Sequence, residues 1–266
     1  MSTHFHRIIP ILFILFCSAC MTIPQPKDTA SEETKERNGG NQLQHAYQPL
    51  MDNDPTPDGY GMYTYVLMGM RLRLENQDTP QGKRLEALLK RITDTSAFEE
   101  GTRRENEKAY FNLFLYPSHI PEFRFDASAI GQYDFDFSME IREDIHKSLQ
   151  SSLNGNPGRD KKINEFLKIF TTHDGPFLIS MVHPHDKISD AEGLFFVDLS
   201  GFNPNVIGPI VDEYKKQIKI DGSGIKEFES IKLNIQNYLH MLAESGEEVF
   251  RSGILYIISV KSAFAK

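Results

Sequence analysis

Two short runs, Phe177 to Val182 and Leu194 to Leu199, are apolar with almost no polar interruption. A strand that alternates apolar and polar residues needs cover on one face, whereas a strand apolar throughout needs cover on both. That requirement narrows the fold more than any other feature, because helices packed on a sheet supply such cover. The chain offers those helices from Pro80 onward. Pro80 to Thr93 sets Leu85, Leu88, Leu89 and Ile92 at helical spacing behind a proline suited to a first turn. Ile130 to Leu153 repeats Phe137, Ile141, Ile145 and Leu149 every four residues, and Asn154-Gly155-Asn156-Pro157-Gly158 stops it. Asp160 is placed to cap a short helix holding Ile163, Phe166, Leu167 and Phe170. Asn203 precedes a helix to Ile218 with Pro204 in its first position, and Ile225 to Glu244 carries Phe228, Ile231, Ile235, Leu239 and Leu242 on one face. Tyr60 to Met68, Ala109 to Tyr116 and Ile254 to Val260 complete a set of about five strands. The expectation is a mixed α/β fold, of α/β or α+β type, with helices packed on the sheet in a single domain over residues 59–266. The strand order stays open.

Residues 1–19 read differently. Arg7 and the terminal amine make a short positive start, Ile8 to Phe16 is an apolar run, and small residues follow. This is the pattern of a secretory signal, and the run is too short for a spanning helix, which needs about 20 apolar residues. Ser18-Ala19-Cys20 resembles the lipobox of bacterial lipoproteins, although Cys17 stands where that family usually has Leu. The resemblance covers this segment alone. It implies cleavage before Cys20, acylation of Cys20 with palmitate-type chains, and a domain tethered to the cell envelope without spanning it. Met21 follows the cysteine in place of the Asp that marks inner-membrane retention, so the resemblance points to the periplasmic face of the outer membrane. Residues 20–58 then read as the lipidated cysteine and a flexible linker, rich in Pro, Ser, Thr, Glu, Lys and Gly. The turn-rich stretch at 52–59 marks the expected domain start.

Charge and cysteine use exclude several classes. Lys and Arg number 29 against 37 Asp and Glu, a net charge of −8, which argues against a nucleic-acid surface. The chain has 2 cysteines, Cys17 and Cys20, so the expected domain has neither a disulfide framework nor a cysteine zinc site. No P-loop, H-E-x-x-H or G-x-S-x-G is present, and Gly59-Tyr60-Gly61 precedes a strand where a dinucleotide fingerprint would open a helix.

Three features remain as candidate sites. His183, His185 and Asp186 follow a strand with the two histidines on one face, a spacing that lets both imidazoles reach a divalent metal such as zinc. The alternative is a polar loop with exposed histidines and no cofactor. His173 and Asp174 precede the same strand and reach that cluster only if another element folds toward its far end. Asp198 lies inside an apolar run, where a carboxylate must be paired, hydrogen-bonded or protonated, and it is the candidate catalytic residue. The alternative is a cap for the following loop. Tyr60, Tyr63 and Tyr65 crowd one strand and, if exposed, suit a binding face; ordinary packing is the alternative. Asp134 and Asp136 are read as solvated residues on an exposed helix face.

Two functions fit these residues. The first is an accessory or protein-binding lipoprotein of the envelope, inhibitor- or immunity-like, with an envelope protein as partner. The second is an envelope hydrolase, metal-dependent or not, using Asp198 and the His183, His185 and Asp186 cluster. The missing catalytic motifs favour the first.

Overall fold

The computed structural model describes residues 41–258 apart from 53, 100–102, 125, 154, 191–193, 221–224 and 245–253. The expected signal segment, Cys20 and residues 21–40 of the expected linker lie outside the described residues. The described chain belongs to one compact unit. In order it runs β1 (Asn41–Gln42), β2 (Gln44–Leu50), β3 (Met62–Leu67), α1 (Pro80–Thr95), β4 (Ala97–Phe98), α2 (Glu105–Lys108), β5 (Phe111–Pro117) and α3 (Ala129–Gln132). It continues with α4 (Phe135–Ser151), α5 (Pro157–Thr172), β6 (Phe177–Met181), β7 (Leu194–Asp198), α6 (Pro204–Gln217), β8 (Lys219–Ile220), α7 (Ile225–Glu244) and β9 (Ile254–Ile258). No helix among the described residues is long and apolar enough to cross a membrane.

The fold is mixed α/β. One sheet of seven strands runs in the order β4-β2-β5-β3-β6-β7-β9, and β1 pairs with β8 apart from it. The strands β4, β2, β5 and β3 are mutually parallel, whereas β6, β7 and β9 each run antiparallel to the preceding neighbour. The apolar runs that demanded cover on both faces are β6 and β7, and every residue of both is buried. On one face α4 and α5 pack Ile141, Ile145, Phe166 and Phe170 against Tyr63, Tyr65, Phe177, Ile179 and Phe196. On the other face α1, α6 and α7 pack Leu85, Leu89, Ile210, Tyr214 and Ile235 against Met62, Val66, Phe114, Phe195 and Val197. A fully buried aliphatic or aromatic side chain contributes roughly 1.5–3 kcal/mol, so two such layers drive the assembly.

Several boundaries move from the sequence reading. The linker does not extend to 58, because β2 lies inside the sheet between β4 and β5 and buries Ala46 and Leu50 completely. Pro49 and the polar Gln44, His45 and Gln48 hide this strand from a hydropathy reading. The sheet thus gains β2 and the two-residue β4 over the five strands expected. The helix expected over Ile130 to Leu153 is broken, and Asp134 caps α4 by accepting from the Phe137 N–H at 3.0 Å. Asp134 is 8% exposed, so it does not lie on a solvated face, while Asp136 is exposed and pairs with Arg71. Asn156, not Asp160, caps α5 through the Arg159 N–H at 3.2 Å, while Asp160 accepts from the Gly155 N–H.

Candidate active site

Register fixes which residues share an end of the sheet. Leu67 pairs with Phe177, and Phe177 with Asp198, so the end of β3, the start of β6 and the end of β7 meet at one crest. This is the carboxyl end of the parallel strands, where open α/β sheets usually hold their ligands. Helices α1 and α6 start from the crest and α5 ends there, because each follows or precedes a strand terminating at that level.

Asp198 is the last residue of β7 and is 0% exposed. Its Oδ1 accepts from the Ser200 N–H at 2.9 Å, and its Oδ2 meets His173 Nδ1 at 2.5 Å. His173 is the residue that ends α5, with its N–H on the Ile169 carbonyl. A carboxylate only accepts hydrogen bonds, so Nδ1 is the donor in this pair. Nε2 makes no hydrogen bond among the described residues, and the imidazole side chain is 31% exposed. The result is a part-exposed imidazole oriented by a buried carboxylate, an arrangement that acid–base chemistry can use.

The neighbourhood holds the histidine in place. Gly69, just beyond β3, donates its N–H to the Asp174 carbonyl at 2.7 Å. A Cβ at Gly69 would sit 1.8 Å from the His173 carbonyl oxygen, so only glycine fits there. Gln81 Nε2 donates to Asp174 Oδ2 at 3.3 Å, and Arg84 Nε donates to the Phe202 carbonyl at 2.5 Å. Burial pushes the Arg84 guanidinium pKa down, while the charges of Asp174 and Asp198 push it back up, which places this cation in their electrostatic neighbourhood. Arg142 bridges the same region from α4. It donates from Nη1 to the Gly69 carbonyl at 2.9 Å and from Nη2 to the Phe170 carbonyl, near the α5 C-terminus where a cation is favoured.

The expected metal cluster lies elsewhere. His183, His185 and Asp186 follow β6 at the end where Met181 pairs with Leu194. That is about 13 Å along the strands from Asp198, given roughly 3.3 Å per residue, so Asp198 and this cluster are not one site. His173 does not approach the cluster either. His183 and Asp186 are exposed, whereas the His185 ring meets the Tyr65 hydroxyl at 3.2 Å and Thr56 Oγ1 at 3.4 Å. Burial lowers the His185 pKa against the pull of Asp186 and Asp144. Among the described residues no three metal-ligating side chains gather.

The tyrosine face is also corrected. Tyr60, Tyr63 and Tyr65 are 5%, 1% and 0% exposed and belong to the core under α4 and α5, so they offer no binding surface. Their aromatic, β-prone composition reflects packing on a central strand. The cap reading of Asp198 and its pairing both hold, since one carboxylate oxygen serves each. Sequence inspection missed the role of His173. It lies 25 residues from Asp198 at the end of a helix, and no local pattern marks that meeting. Comparison with known proteins finds no matching family, no similar characterised protein and no similar solved structure.

Proposed function

We propose that the chain is a hydrolase tethered to the bacterial cell envelope through Cys20, with His173 as its general base and Asp198 as the residue that positions it. The hydrogen bond from His173 Nδ1 to the buried Asp198 carboxylate carries this reading. In this reading water is the nucleophile and the neutral imidazole of His173 activates it. His173 Nε2 takes a proton from water as the water oxygen bonds to the acyl carbon and the carbonyl electrons move to its oxygen. Collapse of that adduct breaks the bond to the leaving oxygen, which takes the proton from His173 and departs as an alcohol. Arg84 supplies a cation to the same locality. No step requires a metal ion.

The test is turnover of p-nitrophenyl esters by the full chain. His173→Ala is expected to lower kcat by about 10²–10⁴-fold, with partial rescue by added imidazole. Asp198→Asn is expected to lower kcat with KM little changed, because it removes orientation and not substrate contact. Folding of both variants is checked by circular dichroism. Wild-type turnover no faster than that of His173→Ala would end the hydrolase reading.

A second reading keeps the tether and makes the domain a protein-binding accessory, inhibitor- or immunity-like. It is favoured by Met70, Leu74 and Met139, large apolar side chains that are 37%, 61% and 42% exposed. Crosslinking in intact envelopes that captures one protein in near-stoichiometric amount, equally with His173→Ala, would select it over the hydrolase. For both readings Cys20→Ser should release the protein from the membrane fraction, and retention would remove the anchor.

A further inference from the structure

We propose that Arg84 and His173 form an anion subsite, in which the two terminal nitrogens of Arg84 receive a negatively charged tetrahedral oxygen only while His173 is protonated. Its catalytic role rests on the hydrolase reading above: there the oxygen is the oxyanion of the water adduct, and Arg84 is a catalytic residue. Helix α1 reaches both sides of the His173–Asp198 pair. It carries Gln81 and Arg84, three residues apart, on one face. Gln81 Nε2 donates at 3.3 Å to Oδ2 of Asp174, the residue after His173. Arg84 Nε donates at 2.5 Å to the carbonyl of Phe202, which closes the turn that follows Asp198. In that turn the Phe202 N–H donates to the Leu199 carbonyl at 3.2 Å and the Ser200 N–H to Asp198 Oδ1 at 2.9 Å. The same turn thus holds the carboxylate that orients the base and the guanidinium anchored next to it.

That anchor uses Nε alone. Nη1 and Nη2 of Arg84 make no hydrogen bond and no ion pair among the described residues, and neither is buried, so this end of the fork is open to a ligand. The charges of Asp174 and Asp198 hold the Arg84 pKa up against burial, yet both carboxylates are already engaged, by Gln81, His173 and Ser200. Arg142, the other cation packed against this end of α5, is 6% exposed. It donates to the Gly69 and Phe170 carbonyls and lies over the Phe170 and Phe177 rings, turned away from a ligand. With His173 neutral, Asp174 and Asp198 together outweigh Arg84, which disfavours an anion; a protonated His173 balances them. An anionic oxygen is therefore favoured only after proton transfer to His173, when the carbonyl electrons have moved to oxygen. An interaction stronger in that state than with bound substrate raises kcat rather than affinity.

Ethyl methylphosphonate, a stable tetrahedral monoanion, tests the charge arrangement on the full chain. Imidazole changes charge between about pH 5 and 8, whereas this phosphonate does not. By calorimetry it should bind wild type about tenfold or more tightly at the lower pH than at the higher, and His173→Ala should flatten that dependence. Arg84→Gln should weaken binding at the lower pH about tenfold or more, with Arg84→Lys, which keeps the charge and loses the fork, between the two. On p-nitrophenyl acetate, Arg84→Gln should lower kcat by about 10²–10³-fold with KM little changed. Circular dichroism checks that the variants fold, and the wild-type pH dependence needs no variant. Phosphonate binding that is absent at the lower pH or equal at both, or a kcat that a folded Arg84→Gln leaves unchanged, overturns the inference while His173-dependent hydrolysis stands. Binding with the expected dependence on pH, His173 and Arg84 but without ester turnover supports the anion subsite, and the hydrolase reading alone fails.

Discussion

His45 illustrates how much one side chain can couple to pH. It sits near the start of β2, where Nε2 meets the Lys215 carbonyl at 3.0 Å and Nδ1 is buried without a partner. Burial first, then the charge of Lys215, pushes its pKa from 6.5 down to about 4. The folded state therefore favours the neutral ring, while the unfolded chain takes up a proton near 6.5. The contribution is complete above that pH and is lost as pH falls through the window to about 4. Its size is on the order of 3 kcal/mol, from 1.36 kcal/mol per pKa unit. His45→Gln keeps a donor for the Lys215 carbonyl and does not titrate. Urea unfolding at pH 7 and pH 4 should show wild type losing about 3 kcal/mol more than the variant. Equal losses would show that His45 is not the titrating group. Local sequence marks His45 as polar in a short segment; only the packing of α6 over it produces the shift.

Among the elements, the helices were the most legible. α7 has the bounds the apolar spacing predicts, α1 begins at the predicted proline, and α6 starts at Pro204 behind its Asn203 cap. The exception is the stretch read as one helix from Ile130. Its four-residue repeat from Phe137 to Leu149 belongs to α4, but Asp134 prefers to accept a backbone N–H and so starts a new helix. The same carboxylate meets His119 Nδ1 at 3.1 Å. A solvated residue would tolerate Asp134→Ala within about 0.5 kcal/mol. As an N-cap, its loss should lower unfolding free energy by about 1 kcal/mol, read from the urea midpoint at constant slope. A midpoint unchanged from wild type would restore the solvated reading. At the sheet, a buried polar set made of Thr64, Asn112, Ser180 and Tyr214 joins three strands to α6, with Thr64 Oγ1 donating to Asn112 Oδ1 at 2.8 Å. Such groups are tolerated inside only when paired, and their pairing helps hold neighbouring strands in register.

At the scale of the molecule, the decisive surprise is β2. It pairs along its whole length with β5 and also carries β4, so it is interior and not a leader. A chain beginning at residue 59 would leave the edge of β5 open and uncover Leu113 and Leu115. It is expected to lack a cooperative thermal transition, whereas a chain beginning at residue 41 should melt as the full chain does. Circular dichroism melts of the two compare them directly, and a cooperative melt from residue 59 would mean that β2 is dispensable. The mixed sheet also explains where the site falls. The parallel half brings the ends of β5, β2 and β3 to one crest, and the antiparallel β6 and β7 place the start of one and the end of the other at the same level. That arrangement lets the end of α5 lie beside the end of β7.

The sequence by itself determined what each segment is and which faces it must bury. Periods of 2 and 3.6 residues are local, so Phe177, Phe196, Ile145 and Leu239 declare their burial through near neighbours. It also determined the lipobox-like Ser18-Ala19-Cys20 and the absence of cysteine downstream. Only the tertiary structure decided the strand order, the membership of β2, and which histidine meets Asp198. These depend on contacts between segments far apart in the chain, where hydropathy sets no register. The apolar spacing could say that Asp198 must be satisfied. It could not say that His173 satisfies it, because that partner is chosen by the crossing of α5 over the crest and not by any residue nearby in sequence.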